Sequence, residues 1–402
     1  MSELTHFGLI VLLVSGSFLL ALGGHKVTER FPVPAPALFL VGAAVAADIW
    51  PGLADLSIVD VERIAVVALI VILFDGGMHV GWARFRGAAV PITVLGVLGT
   101  FGTAGVITLA AHGLFGFEWI TAGILGAALA PTDPAVMFSV LGKREIAGRT
   151  GTILEGESGA NDPVGIALMI GMLDYATHAH ATFWTVVREF AVEMSVGLAI
   201  GIAGAALLLA ALRRVSMAHE AHYPLRTLAA AGVIYGVAAV AHGSGFIAVF
   251  VAGVLLGNAQ VPHKQEIERF HTSLASLAEI VVFVALGLTV DLGSLDVHDV
   301  WLDGILLALI LTFLARPLVV GPLLVPTRLR RGERLFVIWG GLKGAVPILL
   351  AAFAVIAKAE GAGRIYGLVF VVVLFSVVVQ GTSLPLLASR LGVPMRSGGP
   401  SG

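Results

Sequence analysis

Long apolar runs separated by short polar connections are the feature of this sequence that most restricts its fold. A helix needs about 20 apolar residues to cross a bilayer, and backbone polar groups in lipid must be satisfied internally. Only 12% of the residues are charged, against about a quarter in a water-soluble protein. The sequence therefore predicts an all-α integral membrane protein with thirteen spans. Their approximate limits are 6–24, 35–50, 61–79, 88–112, 119–141, 150–173, 185–212, 226–242, 244–260, 270–291, 300–323, 335–357 and 364–389.

The distribution of Lys and Arg supports this number of spans. Of the 24 basic residues, 18 fall in the loops of one side, four fall on the other side, and Arg316 and Lys343 lie inside spans. Because basic loops stay in the cytoplasm, the bias predicts a multi-pass protein of the cell (inner) membrane, with its N-terminus outside and its C-terminus cytoplasmic. The net charge of −2, without a long basic or acidic run, disfavours nucleic acid as a partner.

The connections are too short to form a separate soluble domain, so residues 1–402 are interpreted as a single membrane transporter domain. The last residues, RSGGPSG, are predicted to be a flexible tail. No Cys is present, which excludes disulfides and thiolate metal sites. No cofactor is expected.

Two predicted spans contain helix breaks. The fifth contains ALAPTDPAVMF, in which Pro131 and Pro134 flank Thr132 and Asp133, and the twelfth contains GGLKGAVPILL, with glycines on both sides of Lys343. Proline removes a backbone donor, so unwound segments with free carbonyls are expected there. These spans occupy equivalent places in two six-helix halves, which one intervening span must invert. Paired breaks in inverted halves point to a transporter site near the midplane, although packing kinks would give the same pattern.

The stretch LEGESGANDPVGIALM, Leu154 to Met169, brings polar groups into the sixth span. On a helix, Ser158 and Asp162 share one face, and Glu157 and Asn161 share the next. Asp75, in LFDGGM, lies near the end of the third span. Carboxylates in lipid cost roughly 2.5–3.5 kcal/mol each on insertion scales and usually mark an ion or proton pathway.

Carboxylates that face one cavity repel each other, so the site holds a proton or a hard cation. If Asp162 and Asp133 release a proton only when a monovalent cation replaces it, the two ions compete. Oxygen atoms of Ser158 and Thr132 would complete the shell around the cation.

The remaining acids need positive partners. The two basic residues inside spans predict an ion pair of Arg316 with Glu157, and a second pair of Lys343 with Glu279 of the tenth span. The alternative is that all these charges form one structural network that binds nothing.

Four segments resemble the monovalent cation:proton antiporters, in particular the electroneutral branch of NhaP-type sodium/proton and potassium/proton antiporters. They are PTDPAV, EGESGANDPVGIAL, GFIAVFVAGVLLGN and GGLKGAVPI. The resemblance covers essentially all thirteen spans. It implies a homodimer and crossed broken helices in spans 5 and 12. It also implies a core, approximately 61–173 and 270–357, that moves against a dimer scaffold, approximately 6–50, 185–260 and 364–389.

The resemblance also implies roles for individual residues. Asp162 would be the exchanging carboxylate, with Asp133, Ser158 and the carbonyl of Thr132 as ligands of Na⁺ or K⁺. Asn161 would stabilise the unwound segments.

In the same family, Glu157 and Arg316 would be a structural pair, and Asp75 would reach the ion through water. The resemblance implies that the Asn161-Asp162 pair is associated with one-for-one exchange of cation and proton. Lys343 departs from the arginine that the family often has there, which puts its pairing in doubt, and the nucleotide-responsive domains of many potassium-linked relatives are not expected.

Two other functions fit parts of the sequence. GESG matches the GxSG pattern of rhomboid-type intramembrane proteases, with Ser158 as nucleophile and His242 as base, but it leaves both helix breaks unexplained. A sodium-coupled solute symporter of related fold is the stronger alternative. It would need a further polar or aromatic pocket for an organic substrate.

Overall fold

The computed structural model describes residues 34–50, 52, 57–133, 136–137, 141, 144–177, 183–293, 295 and 299–397, with a few positions between 8 and 19. The first predicted span, 6–24, falls mostly outside these residues, and Pro134 lies outside them. The helices are α1 (Ala35–Ile49), α2 (Ile58–Val80), α3 (Trp82–Phe115), α4 (Trp119–Leu129), α5 (Gly148–Thr177), α6 (Phe183–Arg214), α7 (His222–Val240), α8 (Gly245–Gly257), α9 (Lys264–Leu288), α10 (Val300–Leu324), α11 (Arg331–Trp339), α12 (Ala345–Ile356) and α13 (Ala362–Arg390).

Each predicted span from 35–50 onward contains one of these helices or, in one case, two. Within the described part of the chain, six helices are long and apolar enough to cross a membrane, namely α3, α6, α7, α9, α10 and α13. Four shorter apolar helices are α1, α4, α8 and α12. The architecture is that of a multi-pass membrane protein.

Both predicted helix breaks are present. α4 ends at Leu129, just before Pro131, which has no N–H to continue the helix. The twelfth predicted span is divided into α11 and α12, and residues 340–344 between them are not helical. Short apolar helices therefore end at the two segments that carry the polar motifs.

A tight turn joins α2 to α3. Gly81 alone separates the helices and has a φ of 63°, a conformation that glycine adopts without strain. Asn258, at the end of α8, accepts a hydrogen bond from the N–H of Ala83 at 2.8 Å. The sequence predicts a longer connection here, because Arg84 and Arg86 interrupt the apolar pattern. In the structure, α3 continues through both residues.

The helices pack in two groups. α2 packs most extensively against α8 and α9, and α9 also packs against α1. α3 packs against α4, and α13 packs against α10 and α12. We call α1, α2, α7, α8 and α9 the scaffold helices and α3, α4, α5, α10, α11, α12 and α13 the core helices; α6 contacts both groups. This grouping differs from the predicted division, which placed α2 and α9 in the core and α13 in the scaffold.

A small sheet qualifies the all-α prediction. β1 (Arg144–Ile146) pairs antiparallel with β2 (Met395–Ser397), with Arg144 opposite Ser397. The N–H of Ala147 donates to the carbonyl of Pro394 at 2.8 Å. Arg396 and Ser397 therefore belong to an ordered pair of strands, although the sequence predicts a flexible tail from Arg396 onward.

Candidate ion-binding site

The two helix breaks contact each other at Asp133. Its N–H donates to the carbonyl of Leu342 at 2.8 Å, and its Oδ2 accepts from the N–H of Ala345 at 3.3 Å. The first N–H of α12 thus faces a carboxylate, an arrangement that the helix dipole favours. Gly344 is required here, because a Cβ on it would overlap the Asp133 carboxylate.

Lys343 also connects the two helix breaks. The side chain is fully buried, and its Nζ donates to the carbonyls of Ala130 at 2.9 Å and Pro131 at 2.7 Å. Both carbonyls belong to residues just beyond the end of α4, where no further helical turn uses them. The ammonium of one break therefore satisfies the free carbonyls of the other.

The predicted pair of Lys343 with Glu279 is wrong. The ammonium lies against backbone carbonyls, and the described residues contain no ion pair between the two side chains. Glu279 is half-buried on α9, and its Oε1 has no hydrogen-bond partner among the described residues. Charge balance alone suggested this pair, and it did not account for the carbonyls that a broken helix exposes.

The polar face of α5 lies against the first break. The hydroxyls of Ser158 and Thr132 are 3.0 Å apart. Asn161 accepts from the N–H of Thr132 at 3.2 Å and donates to its Oγ1 at 2.7 Å. All three side chains are buried. The structure therefore brings Ser158, Thr132 and Asn161 together, and the Asn161 amide holds the unwound backbone.

Asp162 is a buried carboxylate of this site with an oxygen that lacks a partner. The residue is only 4% exposed, and its Oδ1 has no hydrogen-bond partner within the described part of the chain. It is close enough to Asp133 and Lys343 to interact with both electrostatically. A buried carboxylate oxygen without a partner is costly, so it is suited to bind a proton or a cation.

Glu157 and Arg316 form the predicted ion pair. Arg316 donates to Glu157 Oε1 at 2.8 Å, and the side chains of Arg316 and Glu157 are 4% and 3% exposed respectively. Arg316 also donates to the carbonyls of Ile338 at 3.2 Å and Val337 at 3.1 Å, near the end of α11. A Cβ at Gly341 would overlap the guanidinium. The pair therefore joins α5, α10 and α11 and neutralises Glu157.

Asp75 lies in a neighbouring cluster on the scaffold helices. Its Oδ1 accepts from the hydroxyl of Thr272 at 3.2 Å, and its Oδ2 lies 3.3 Å from Nδ1 of His79. The residue is 8% exposed. In the described part of the chain, its side chain has no hydrogen bond to Ser158 or Thr132.

Sequence reasoning missed two polar residues of α13. Ser376 Oγ accepts from the N–H of Lys343 at 2.9 Å and donates to Gln380 at 2.7 Å, and Gln380 Nε2 lies 3.4 Å from the carbonyl of Trp339. Both residues lie in a π-helical turn, Ser376–Gly381, of the kind often found at functional sites. A serine and a glutamine four residues apart in an apolar span were the available signal.

The protease alternative has no support in this geometry. His242 has a φ of 55° and is exposed in the turn between α7 and α8. Ser158 instead pairs with Thr132. His242 is therefore not the base beside this serine.

The comparisons with known proteins agree with the arrangement of helix breaks and buried charges. The model of the family described as "Sodium/hydrogen exchanger, transmembrane" matches residues 14–390. The chain belongs to the sodium/hydrogen exchanger family. The predicted resemblance to NhaP-type antiporters is confirmed, and the family places the chain among transporters rather than enzymes.

Two relatives illustrate this membership. The K(+)/H(+) antiporter NhaP of Alkalimonas amylolytica is 35% identical over 397 residues, which cover 97% of this chain and 68% of that protein. The K(+)/H(+) antiporter NhaP2 of Shewanella sp. (strain ANA-3) is 33% identical over 368 residues, which cover 90% of this chain and 63% of that protein. The chain thus spans about two thirds of the length of these relatives.

A solved structure has the same fold. The sodium proton antiporter MjNhaP1 from Methanocaldococcus jannaschii at pH 8 superposes with a TM-score of 0.81 at 23% identity, over 96% of this chain and 99% of that chain. This likeness shows the fold, while the family and the relatives place the chain with cation/proton antiporters of the NhaP type.

Proposed function

We propose that the chain exchanges Na⁺ or K⁺ for H⁺ one for one across the cell membrane, with the cation and the proton competing for Asp162 and Asp133. The observation that carries this proposal is the buried carboxylate of Asp162. Its Oδ1 has no hydrogen-bond partner among the described residues, and it lies on the same helical face as Ser158, whose hydroxyl contacts Thr132.

The donor set suits a hard monovalent cation. Carboxylate, hydroxyl and backbone carbonyl oxygens are the ligands that such ions prefer, and the residues at the crossing supply all three. Asp133, Ser158 and Asp162 would be the ligands, and the unwound backbone at Thr132 would add a carbonyl. The two relatives are named K(+)/H(+) antiporters and the solved structure is that of a sodium proton antiporter, so both ions are candidates here.

The formal charge of the site supports one-for-one exchange. Glu157 and Arg316 neutralise each other. Asp133, Asp162 and the ammonium of Lys343 together carry one negative charge when both acids are ionised. One proton or one monovalent cation balances that charge, so exchanging them leaves the site neutral in both loaded states.

We propose that transport uses alternating access, and the packing of the helices supports this. The core helices carry both breaks and the Asp162 face, and the scaffold helices carry Asp75 and Glu279. We propose that the core moves against the scaffold within a homodimer, and that the basic loops face the cytoplasm.

The proposal is tested by proton flux in proteoliposomes of the full chain. A pH-sensitive dye would follow dissipation of a pH gradient after addition of Na⁺, K⁺, Li⁺ or choline. Wild type should respond to Na⁺ or K⁺ but not to choline. Asp162→Asn should abolish the response, and Asp299→Asn, the same change at an exposed residue, should not. Absence of flux with every cation in wild type, or full activity of Asp162→Asn, would refute the proposal.

A further inference from the structure

A group of metal-ligating side chains lies at one end of the scaffold helices. Glu220 lies in the turn before α7, His263 immediately precedes α9, and Glu266 is in the first turn of α9. Nδ1 of His263 and one carboxylate oxygen of each glutamate all lie within 4.8 Å of one another. The fold therefore brings the turn between α6 and α7 and the turn between α8 and α9 to one point.

Both carboxylates lie near the same ring nitrogen. Nδ1 of His263 is 3.9 Å from Oε1 of Glu220 and 4.0 Å from Oε2 of Glu266. These distances are longer than an N–H···O hydrogen bond, which extends to about 3.2 Å. Two nitrogen or oxygen ligands of one tetrahedral zinc ion lie roughly 3.4 Å apart. Rotations of the two glutamate side chains that shorten these distances by about 0.5 Å would place all three atoms around a single ion.

The neighbouring basic residues do not neutralise the two carboxylates. Lys264 lies 3.3 Å from Glu268, and Arg226 donates to two backbone carbonyls near the end of α6. In the described part of the chain, the only basic group within ion-pair distance of either carboxylate is His263. A cation between the carboxylates would remove their mutual repulsion.

Aromatic packing accounts for the histidine but not for the glutamates. The ring of His263 lies against that of Tyr223, with a centroid distance of 4.7 Å. The side chains of Glu220 and Glu266 are 72% and 46% exposed. Like charges at the surface are free to extend away from each other, whereas these two lie beside one imidazole. The packing of the ring therefore holds a nitrogen ligand in place where the two carboxylates meet.

Further nitrogen donors lie in the same turn. His219 and His222 flank Glu220 in the sequence, both are exposed, and their ring centroids are 5.4 Å apart. A zinc ion with three protein ligands keeps its fourth position for water or another donor. The exposed side of the group leaves room for either.

We propose that Glu220, His263 and Glu266 bind one divalent transition-metal cation, of which Zn²⁺ fits best. One imidazole with two carboxylates suits Zn²⁺ better than Mg²⁺, which takes oxygen ligands and keeps several waters. The bound ion joins the turn before α7 to the start of α9. The proposed metal site shares no residue with the Asp133–Asp162 site, so it stands whether or not the chain carries out the proposed antiport.

Binding of Zn²⁺ alone to the purified full chain, without a polyhistidine tag, tests the proposal. Isothermal titration calorimetry should show one tightly bound Zn²⁺ per chain in wild type. His263→Asn should weaken this binding by at least about tenfold, because even an indirect partner of a metal ligand contributes that much. His263 has a φ of 54°, a conformation that asparagine tolerates, so the variant should keep the turn.

The chain offers matched controls. His242 has a φ of 55° and is exposed at the opposite end of α7, so His242→Asn should bind Zn²⁺ like wild type. Glu266→Gln should weaken binding, whereas Glu268→Gln, two residues further along α9 and beside Lys264, should not. A large excess of Mg²⁺ should leave Zn²⁺ bound.

Thermal unfolding in detergent gives a second measurement. A ligand that binds only the folded chain stabilises it, so Zn²⁺ should raise the unfolding midpoint of wild type, His242→Asn and Glu268→Gln. It should not raise the midpoint of His263→Asn or Glu266→Gln. Without Zn²⁺ all five proteins should unfold at similar temperatures, which would show that the loss of binding is not a loss of folding.

Three results would overturn the proposed site. The first is the absence of Zn²⁺ binding in wild type. The second is equal Zn²⁺ affinity of Glu266→Gln and Glu268→Gln, which does not depend on how His263→Asn folds. The third is displacement of Zn²⁺ by Mg²⁺, because a site with an imidazole ligand should prefer Zn²⁺.

Discussion

The buried pair of Arg316 with Glu157 should contribute far more to stability than an equally close pair at the surface. Replacing Arg316 by Leu removes the 2.8 Å bond to Glu157 and two bonds to the carbonyls of Val337 and Ile338. It also leaves Glu157, 3% exposed, without its counter-ion. Breaking a buried pair by removing one partner costs about 3–5 kcal/mol, so we expect a loss of about 4 kcal/mol in the free energy of unfolding.

The chain offers a matched control. Arg364 and Asp303 are 2.7 Å apart, but their side chains are 34% and 19% exposed. Solvent screens such a pair to roughly 0–1 kcal/mol, and the position of Arg364 over the ring of Phe117 adds about 0.5–1 kcal/mol. Arg364→Leu should therefore cost about 1–2 kcal/mol, although the two ion pairs have nearly the same length.

The double variant Glu157→Leu/Arg316→Leu tests the reasoning further. Removing both charges leaves no unpaired ion, so only the two α11 carbonyls lose a donor, at about 1–3 kcal/mol for each buried group. The double variant should thus be more stable than the two single losses predict when added. SDS-induced unfolding in mixed micelles, followed by the fluorescence of the six tryptophans, would measure five proteins: wild type, Arg316→Leu, Glu157→Leu, Arg364→Leu and the double variant. Equal losses for the two arginine variants, or additive losses in the double variant, would refute the role assigned to burial.

Two further predictions concern the crossing of the breaks. Gly344→Ala should abolish exchange because its Cβ would overlap the carboxylate of Asp133, whereas Gly321→Ala should retain most activity, since the atom nearest to its Cβ would lie 3.8 Å away, an ordinary contact; equal activity of both variants in the proteoliposome assay would contradict this. Asn161→Ala removes two buried hydrogen bonds to Thr132, so it should lower the free energy of unfolding by about 2 kcal/mol and slow exchange. An unchanged free energy of unfolding would show that the amide does not hold the unwound segment.

Much of the candidate site follows from local sequence. The face shared by Ser158 and Asp162 depends only on helical spacing, which any helix through these residues preserves. The break before Asp133 follows from the missing N–H of Pro131. The pairing of Arg316 with Glu157 was predictable because Arg316 is one of only two basic residues inside the predicted spans.

The partners of Lys343 and Glu279 were decided by tertiary structure. Opposite charges in neighbouring spans suggested that they pair, yet the ammonium reaches carbonyls that become available only where two broken helices cross. Glu279 lies on the scaffold helix α9, and its Oε1 has no hydrogen-bond partner among the described residues. No sequence interval encodes this arrangement, because it depends on how α9 packs beside α12.

The sequence by itself indicated a multi-pass membrane protein, the two helix breaks and the polar face of α5, since hydropathy and helical period are properties of a single segment. Only the tertiary structure decided that α2 and α9 pack with the scaffold helices and α13 with the core helices. Membrane helices are apolar on nearly every face, and lipid provides no hydrophobic force that selects one partner over another. Close packing and a few interhelical hydrogen bonds make that selection, and they exist only once the helices are assembled.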